Sequence, residues 1–370
     1  MDFNLKIPVN VVSGKDCVKK NSSLLAAFGK KCIIVTGGSS AVKSGALEDI
    51  LFALEKEGIE SIIYNGIGPN PRLDHCFEAA AKARAFGADF VIGIGGGSPL
   101  DASKAVAVYA ANPDFTLYDI YSSEKRNEAL PAVLIGTTSG TGSEVGKVSV
   151  LTDPETGRKK SIAPDDCFPR LTFADPTYTH SMPYSVTVST ALDALAHAIE
   201  GYMSVKCTDI PSLFGEKAIE LIWQGLLRLH SAKENPDEEM RERLYYGSLY
   251  AGITLAYCGT AFPHPLGYIL TENYDLPHGR ACTAFMDEFI DRSEKYEKEK
   301  TEKVFSIMKT DKETFKSIIR ELTALPEIRM TEEEILSYCS RYDTVPKNFK
   351  FSPGGFSKED AIEIFRKRFM

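Results

Sequence analysis

The chain lacks paired cysteines, long apolar runs and any basic stripe, and it has few histidines. Each shortage narrows what it can be. Its eight cysteines, Cys17, Cys32, Cys76, Cys167, Cys207, Cys258, Cys282 and Cys339, are scattered, and no two form a C-x-x-C pair. A disulfide framework or a zinc ribbon is therefore not expected; free, buried thiols are. No stretch approaches the roughly 18–20 apolar residues that cross a bilayer, so no membrane partner is expected. The opening residues, MDFNLKIPVNVVSGK, lack the apolar core of a signal peptide, and the expected location is the cytoplasm. Acidic residues outnumber basic ones, 51 to 43, for a net charge of −8. An acidic chain without a basic stripe is a poor partner for nucleic acid. The G-x-G-x-x-G fingerprint of the usual dinucleotide fold is also missing.

What is present has a clear order. The chain is 370 residues long, 43% hydrophobic and 25% charged, enough for two domains with their own cores. Its first half alternates short apolar strands with helix-forming stretches. Lys31 to Thr36, Ser61 to Tyr64, Ala88 to Ile94 and Pro131 to Ile135 read as strands; about 44–57 and 73–86 read as helices. That rhythm predicts a parallel sheet covered by helices. After about residue 180 helical patterns dominate, at about 189–204, 209–231, 237–257 and 279–298, and strand signals nearly vanish. The charge-dense run RSEKYEKEKTEKVF (292–305) reads as a solvated helix face. The expectation is an α/β dinucleotide-binding domain over 1–180 and an all-helical, metal-binding domain over 181–370.

Two loops point to a phosphate-bearing ligand. Val91 to Asp101 (VIGIGGGSPLD) reads as strand, glycine turn and helix start. Gly95, Gly96 and Gly97 let a ligand approach the backbone, and Ser98 and Pro99 open a helix whose free N–H groups suit a pyrophosphate. Thr137, Thr138, Ser139, Gly140, Thr141 and Gly142 follow the strand ending at Ile135 and offer hydroxyls to the same ligand. Each alone is also what an ordinary turn looks like; two after neighbouring strands call for a shared ligand. Gly37, Gly38 and Ser39 follow the first strong strand, where a carboxylate would otherwise hold ribose hydroxyls. None stands there, and Lys43 is close, which favours NADP(H) over NAD(H).

Histidines number only six: His75, His180, His197, His230, His264 and His278. Asp193 and His197, spaced i, i+4 in STALDALAHAIEGY, share one helical face one turn apart and can share a divalent ion. His264 and His278 lie near Pro or Gly in FPHPLGYILTENYDLPHGRA, at expected helix ends or turns, and are candidates to join them. An acid with imidazoles is mixed N/O ligation of the kind iron(II) or zinc accepts.

These pieces together resemble the iron-containing (group III) alcohol dehydrogenases, which are similar in fold to glycerol dehydrogenase and dehydroquinate synthase. The resemblance rests on GGGSPLDASK (95–104), TTSGTGSEV (137–145), LTDPETGRKK (151–160), STALDALAHAIEGY (189–202) and the segment from His264 to Gly279. It implies a Rossmann-like α/β domain followed by an all-α, dehydroquinate synthase-like domain, with the active site in the cleft between them. It implies metal ligation by Asp193, His197, His264 and His278, with Fe(2+) or Zn(2+) as the ion. It places cofactor contacts at Asn70, Gly95 to Pro99, Thr137 to Thr141 and Lys160, more weakly at Thr179 and Met182, and makes Asp101 a candidate within its loop. A homodimer is what the family implies. Tyr268 stands where many members carry a second histidine, which leaves a histidine proton relay there in doubt. NAD-preferring members often carry Asp at the position of Gly37.

The expected activity is interconversion of a small primary alcohol or diol and its aldehyde, the metal acting as Lewis acid and the cofactor carrying hydride. The apolar neighbours Phe262, Pro263, Leu266, Tyr268 and Leu270 favour a small alcohol. A synthase that uses NAD transiently would need more Lys and Arg near the ligands than Arg280. A non-catalytic relative would be expected to have lost ligands or glycines, and all are present.

Overall fold

The structure, a computed structural model, describes residues 6–122 and 126–370; the opening residues 1–5, included in the leader argument above, lie outside it. The chain divides into two compact units, Lys6–Met182 and one running from Pro183 to Met370.

The first unit carries every strand among the described residues: β1 (Asn10–Ser13), β2 (Lys31–Thr36), β3 (Glu60–Tyr64), β4 (Phe90–Gly95), β5 (Ala132–Gly136), β6 (Ser149–Thr152), β7 (Lys159–Ile162) and β8 (Leu171–Ala174). Six form one parallel sheet in the order β1-β8-β5-β4-β2-β3, while β6 and β7 pair as an antiparallel hairpin. Its helices are α1 (Cys17–Lys20), α2 (Ser40–Lys43), α3 (Ala46–Glu57), α4 (Leu73–Phe86) and α5 (Gly97–Ala111). The central strands are apolar on both sides because both faces are covered. Ile33, Val35 and Val91 pack into a core with α4 and α5. Cys32, Ile34, Phe90 and Ile92, one residue out of phase, pack with α1 and α3 on the other face.

The strand order sets where a ligand fits. From β2 the chain moves outward to β3, then returns to lay β4 on the other side of β2 and continues toward β5. The order reverses between β2 and β4, and the crevice outside the carboxyl ends of such strands is where open α/β sheets bind ligands. The Gly37 and Gly95 turns both leave from those ends.

The second unit is helical: α6 (Tyr184–Met203), α7 (Asp209–Ala232), α8 (Glu238–Cys258), α9 (Pro263–Tyr274), α10 (His278–Thr283), α11 (Met286–Tyr296), α12 (Lys298–Met308), α13 (Lys312–Thr323), α14 (Glu332–Cys339), α15 (Lys347–Phe351) and α16 (Lys358–Phe369). Helix α6 is buried almost throughout and forms the axis of one apolar core. The single helix expected over 279–298 is interrupted at Ala284–Phe285. Phe285 is fully buried against Phe365 and Phe369, at 5.4 and 6.2 Å between ring centroids. That packing comes from a helix 80 residues later in the chain, and no Gly or Pro marks the break. The charge run 292–305 is likewise split, at Glu297, into α11 and α12. Among the described residues no helix is long and apolar enough to cross a membrane. All eight cysteines are free thiols, and all but Cys207 are buried.

Candidate metal centre and nucleotide loops

Three helices of the second unit supply one cluster. Asp193 and His197 lie one turn apart on α6; His264 sits in the first turn of α9, after Pro263; His278 opens α10. The Nε2 atoms of His264, His278 and His197 stand 3.7, 3.7 and 3.9 Å from Asp193 Oδ1. The rings of His197 and His264 stack at 4.5 Å between centroids. Helix α10 reaches Asp193 because its second residue is Gly279. A Cβ there would collide with the Ser189 carbonyl and stand 2.9 Å from Asp193 Cβ.

The donor atoms fit a cation. Asp193 Oδ1 and His264 Nε2 are buried and have no hydrogen-bond partner, a costly state unless something else satisfies them. Burial would raise the Asp193 carboxyl, but the His197, His278 and His264 imidazoles outweigh it and hold it well below the usual carboxylate range. Burial would lower His264, yet Cys282, Glu200 and Asp193 push it well above its ordinary value. A buried carboxylate oxygen and an imidazole nitrogen left without partners side by side are donors that a divalent ion fits. The His278 side chain is 29% exposed while those of Asp193, His197 and His264 are 7% or less, so the cluster opens on the His278 side.

Two partners of this cluster were missed in the sequence. Glu200, three residues after His197 on α6, is fully buried; its Oε1 lies 2.7 Å from His264 Nδ1, and its Oε2 accepts the Ala261 N–H at 2.8 Å. This is the carboxylate–histidine pairing that orients metal ligands. Cys282, one turn after His278, brings Sγ to within 4.8 Å of the donor atoms of Asp193, His264 and His278. The same i, i+4 spacing that flagged Asp193 and His197 would have found it. Tyr268 lies on α9 with its ring stacked on His278, 5.6 Å between centroids. Of the remaining histidines, His230 pairs with Glu321 at 2.9 Å, His75 lies on α4, and His180 is exposed. Of the apolar neighbours read as favouring a small substrate, Phe262, Pro263, Leu266 and Leu270 are buried, while Tyr268 is half-buried beside His278. Phe262 stacks on Phe356 at 4.1 Å, and Leu266 and Leu270 are fully buried, so their apolarity says nothing about a substrate.

In the first unit the glycine and hydroxyl loops converge. A Cβ at Gly37 would stand 3.2 Å from Pro99, one at Gly96 3.1 Å from Thr138, and one at Gly97 2.5 Å from Thr141. The Thr137 N–H donates to Gly95 O at 2.8 Å. Buried Thr137 Oγ1 and Ser139 Oγ have no partner. Gly95 ends β4, Gly96 caps α5, and Ser98 and Pro99 form the helix's first turn, the arrangement that leaves N–H groups for an anion. Gly38 and Ser39 are exposed ahead of α2, and Lys43 is exposed at its end. Asn70 is exposed in the β3–α4 connection.

Three of the sequence candidates have side chains engaged elsewhere. The Asp101 carboxylate accepts from Ser143 Oγ and from the Val150 N–H. The Lys160 ammonium lies 3.9 Å over the Tyr121 ring. Thr179 donates to the Pro176 carbonyl at 2.7 Å, and Met182 is buried. The missing acid at position 37 has a steric cause of its own, because a Cβ on Gly37 would collide with the Ile67 carbonyl. Glu144 escaped the sequence reading: it is buried beneath Gly136, with burial pushing its carboxyl up to about 7.

One chain thus carries a parallel α/β unit with phosphate-type turns and a helical unit that gathers an acid and three imidazoles. The profile of iron-containing alcohol dehydrogenases matches residues 8–176, and that of the family's C-terminal part matches 187–336. The chain belongs to the iron-containing alcohol dehydrogenase family. It is similar to a solved iron-containing alcohol dehydrogenase from Thermotoga maritima, with 33% identity and a TM-score of 0.91 over 100% of this chain and 99% of that one. It is 30% identical to a long-chain primary alcohol dehydrogenase of Thermoanaerobacter ethanolicus, across 98% of this chain and 89% of the relative. It is 28% identical to an NADPH-dependent butanol dehydrogenase of Clostridium saccharobutylicum, across 93% and 88%.

Proposed function

We propose that this alcohol dehydrogenase reduces a small aldehyde, and oxidises the matching primary alcohol or diol, with NADP(H) in preference to NAD(H). Its ion, iron(II) or zinc, is held by Asp193, His197, His264 and His278. When bound, that ion acts as a Lewis acid toward the substrate oxygen and the nicotinamide carries the hydride. The observation that carries the ligand assignment is the pair of buried, unpartnered atoms, Asp193 Oδ1 and His264 Nε2, facing each other at 3.7 Å. Glu200 holds the His264 ring by its Nδ1, which leaves Nε2 directed at the cluster. Half-buried His278 and the Tyr268 ring stacked on it form the side from which substrate enters, and Tyr268 is a candidate to pass the alcohol proton onward.

The cofactor reading places the pyrophosphate on the free N–H groups of Gly96, Gly97 and Ser98, with hydroxyls from Thr137 to Thr141 beside it. Asp101, Lys160, Thr179 and Met182 contribute through the loops they hold. The NADP preference is supported by the lack of a carboxylate at Gly37 to Ser39, by Lys43 at the exposed end of the short helix that follows, and by the NADPH-dependent relative. Homodimer assembly and a cytoplasmic location belong to the same proposal. Substitution of His264 or His278 by Ala is expected to abolish both bound metal and turnover. Near-normal metal content in either variant would overturn the site. The cofactor preference is read from kcat/KM for butanal reduction with NADPH and NADH; a higher value with NADH overturns that part.

A further inference from the structure

We propose that a cavity beside α10 in the helical unit binds a small organic anion, a short-chain carboxylate, with its charged end on Arg280 and Lys233. The cavity holds about 400 Å³, a size that suits a small molecule. Its lining comes from α6, α10 and the C-terminal ends of α7 and α13, and none of Asp193, His197, His264 and His278 is part of it. Arg280 follows His278 by two positions on α10, and two helical positions turn a side chain by roughly 200°. The guanidinium is therefore directed away from the metal cluster.

Subtraction gives the charge of the ligand. Glu321, the one acid on the wall, is already engaged: its Oε2 meets His230 Nε2 at 2.9 Å, and its Oε1 accepts from Ser317 Oγ at 3.3 Å. The Tyr184 hydroxyl donates to the Leu229 carbonyl at 3.0 Å. What remains is cationic. Among the described residues, neither the Arg280 guanidinium nor the Lys233 ammonium makes a hydrogen bond or a salt bridge. Lys233 alone is an ordinary cation at a helix C-terminus. Arg280 is different. It is half-buried, with Nε buried and lacking an acceptor, and a buried donor left unpaired is costly. A carboxylate takes two parallel N–H bonds from a guanidinium, and a neighbouring ammonium adds charge. The rest of the wall includes Val188 and Leu322, both buried and apolar. Those side chains suit a short hydrocarbon tail and give nothing to a bare inorganic anion.

The test is calorimetric titration of full-length protein with butanoate, and with inorganic phosphate for comparison. Butanoate should bind once per chain with a dissociation constant on the order of 1 mM. The constant should not change when metal is stripped by chelation, which separates this cavity from a carboxylate held by the ion. Arg280→Gln should weaken binding about tenfold or more. Lys233→Asn, at an exposed left-handed position that Asn tolerates, should weaken it about threefold. Circular dichroism checks that each variant keeps its helix content, and Lys233→Asn decides alone if Arg280→Gln does not fold. No saturable binding of butanoate up to about 50 mM overturns the proposal. So does binding that vanishes with the metal, or that the folded variants keep at wild-type strength. Phosphate bound as tightly as butanoate overturns the carboxylate assignment, because the apolar wall would then contribute nothing.

Discussion

Replacing Glu200 with Gln tests how the helical unit keeps its metal site ready. The carboxylate has two jobs: Oε1 meets His264 Nδ1 at 2.7 Å, and Oε2 accepts the Ala261 N–H at 2.8 Å. An amide of the same shape has one acceptor and one donor. If its oxygen faces Ala261, its NH2 faces His264 and selects the tautomer with the proton on Nε2, removing the lone pair a metal needs. If its oxygen faces His264, the NH2 opposes the Ala261 N–H in a fully buried place, at a cost of about 1–3 kcal/mol. Loss of such an orienting partner weakens metal binding about 10–100-fold, or about 1.4–2.7 kcal/mol. The two routes give similar magnitudes, so relaxation between them does not remove the loss. Chelator competition should show the zinc dissociation constant of Glu200→Gln raised by that factor, with circular dichroism reporting an unchanged helix content. A constant within about twofold of wild type, in folded protein, would refute the idea that Glu200 sets the His264 tautomer.

Other expectations concern the turns and the buried acid beneath them. Gly279→Ala sets a methyl group against Ser189 and Asp193 and should cost about 1–3 kcal/mol in overpacking. Because His278 is the preceding residue, bound metal should fall with the melting temperature, and a variant with full metal content contradicts this. Gly37→Asp, a natural choice for switching the cofactor, should weaken both NADH and NADPH by displacing the Ile67 carbonyl; tight NADH binding measured by fluorescence titration would count against it. Burial raises Glu144 from 4.5 to about 7, so between those values the folded state binds more protons than the unfolded one. Stability should therefore fall as pH rises from about 4.5 to 7, by about 3 kcal/mol, then level off. Glu144→Gln should remove that slope and be the more stable protein at pH 8. Urea unfolding at pH 5 and 8 checks this, and equal slopes in the two proteins would show that Glu144 is not the cause.

The sequence by itself determined what depends on neighbours along the chain. The runs Lys31 to Thr36 and 73–86 became β2 and α4 with the expected bounds, because a short apolar β-branched run and a run of helix formers act locally. The i, i+4 pair Asp193 and His197 was legible for the same reason: one helical turn fixes their shared face. His264 and His278 were only candidates among six histidines until a family resemblance singled them out. Their meeting at Asp193 was decided by tertiary packing, through the close approach of α10 to α6 at Gly279 and the start of α9 at Pro263. Glu200, Cys282 and Glu144 carried no local signal that was used, since an acid or a thiol in a helical run or a polar loop reads as solvated or as filler until its surroundings are known. The break at Phe285 and the core positions of Phe262, Leu266 and Leu270 were hidden too. Each depends on burial against residues distant in the chain, and short-range periodicity holds no information about which distant surface will cover a side chain.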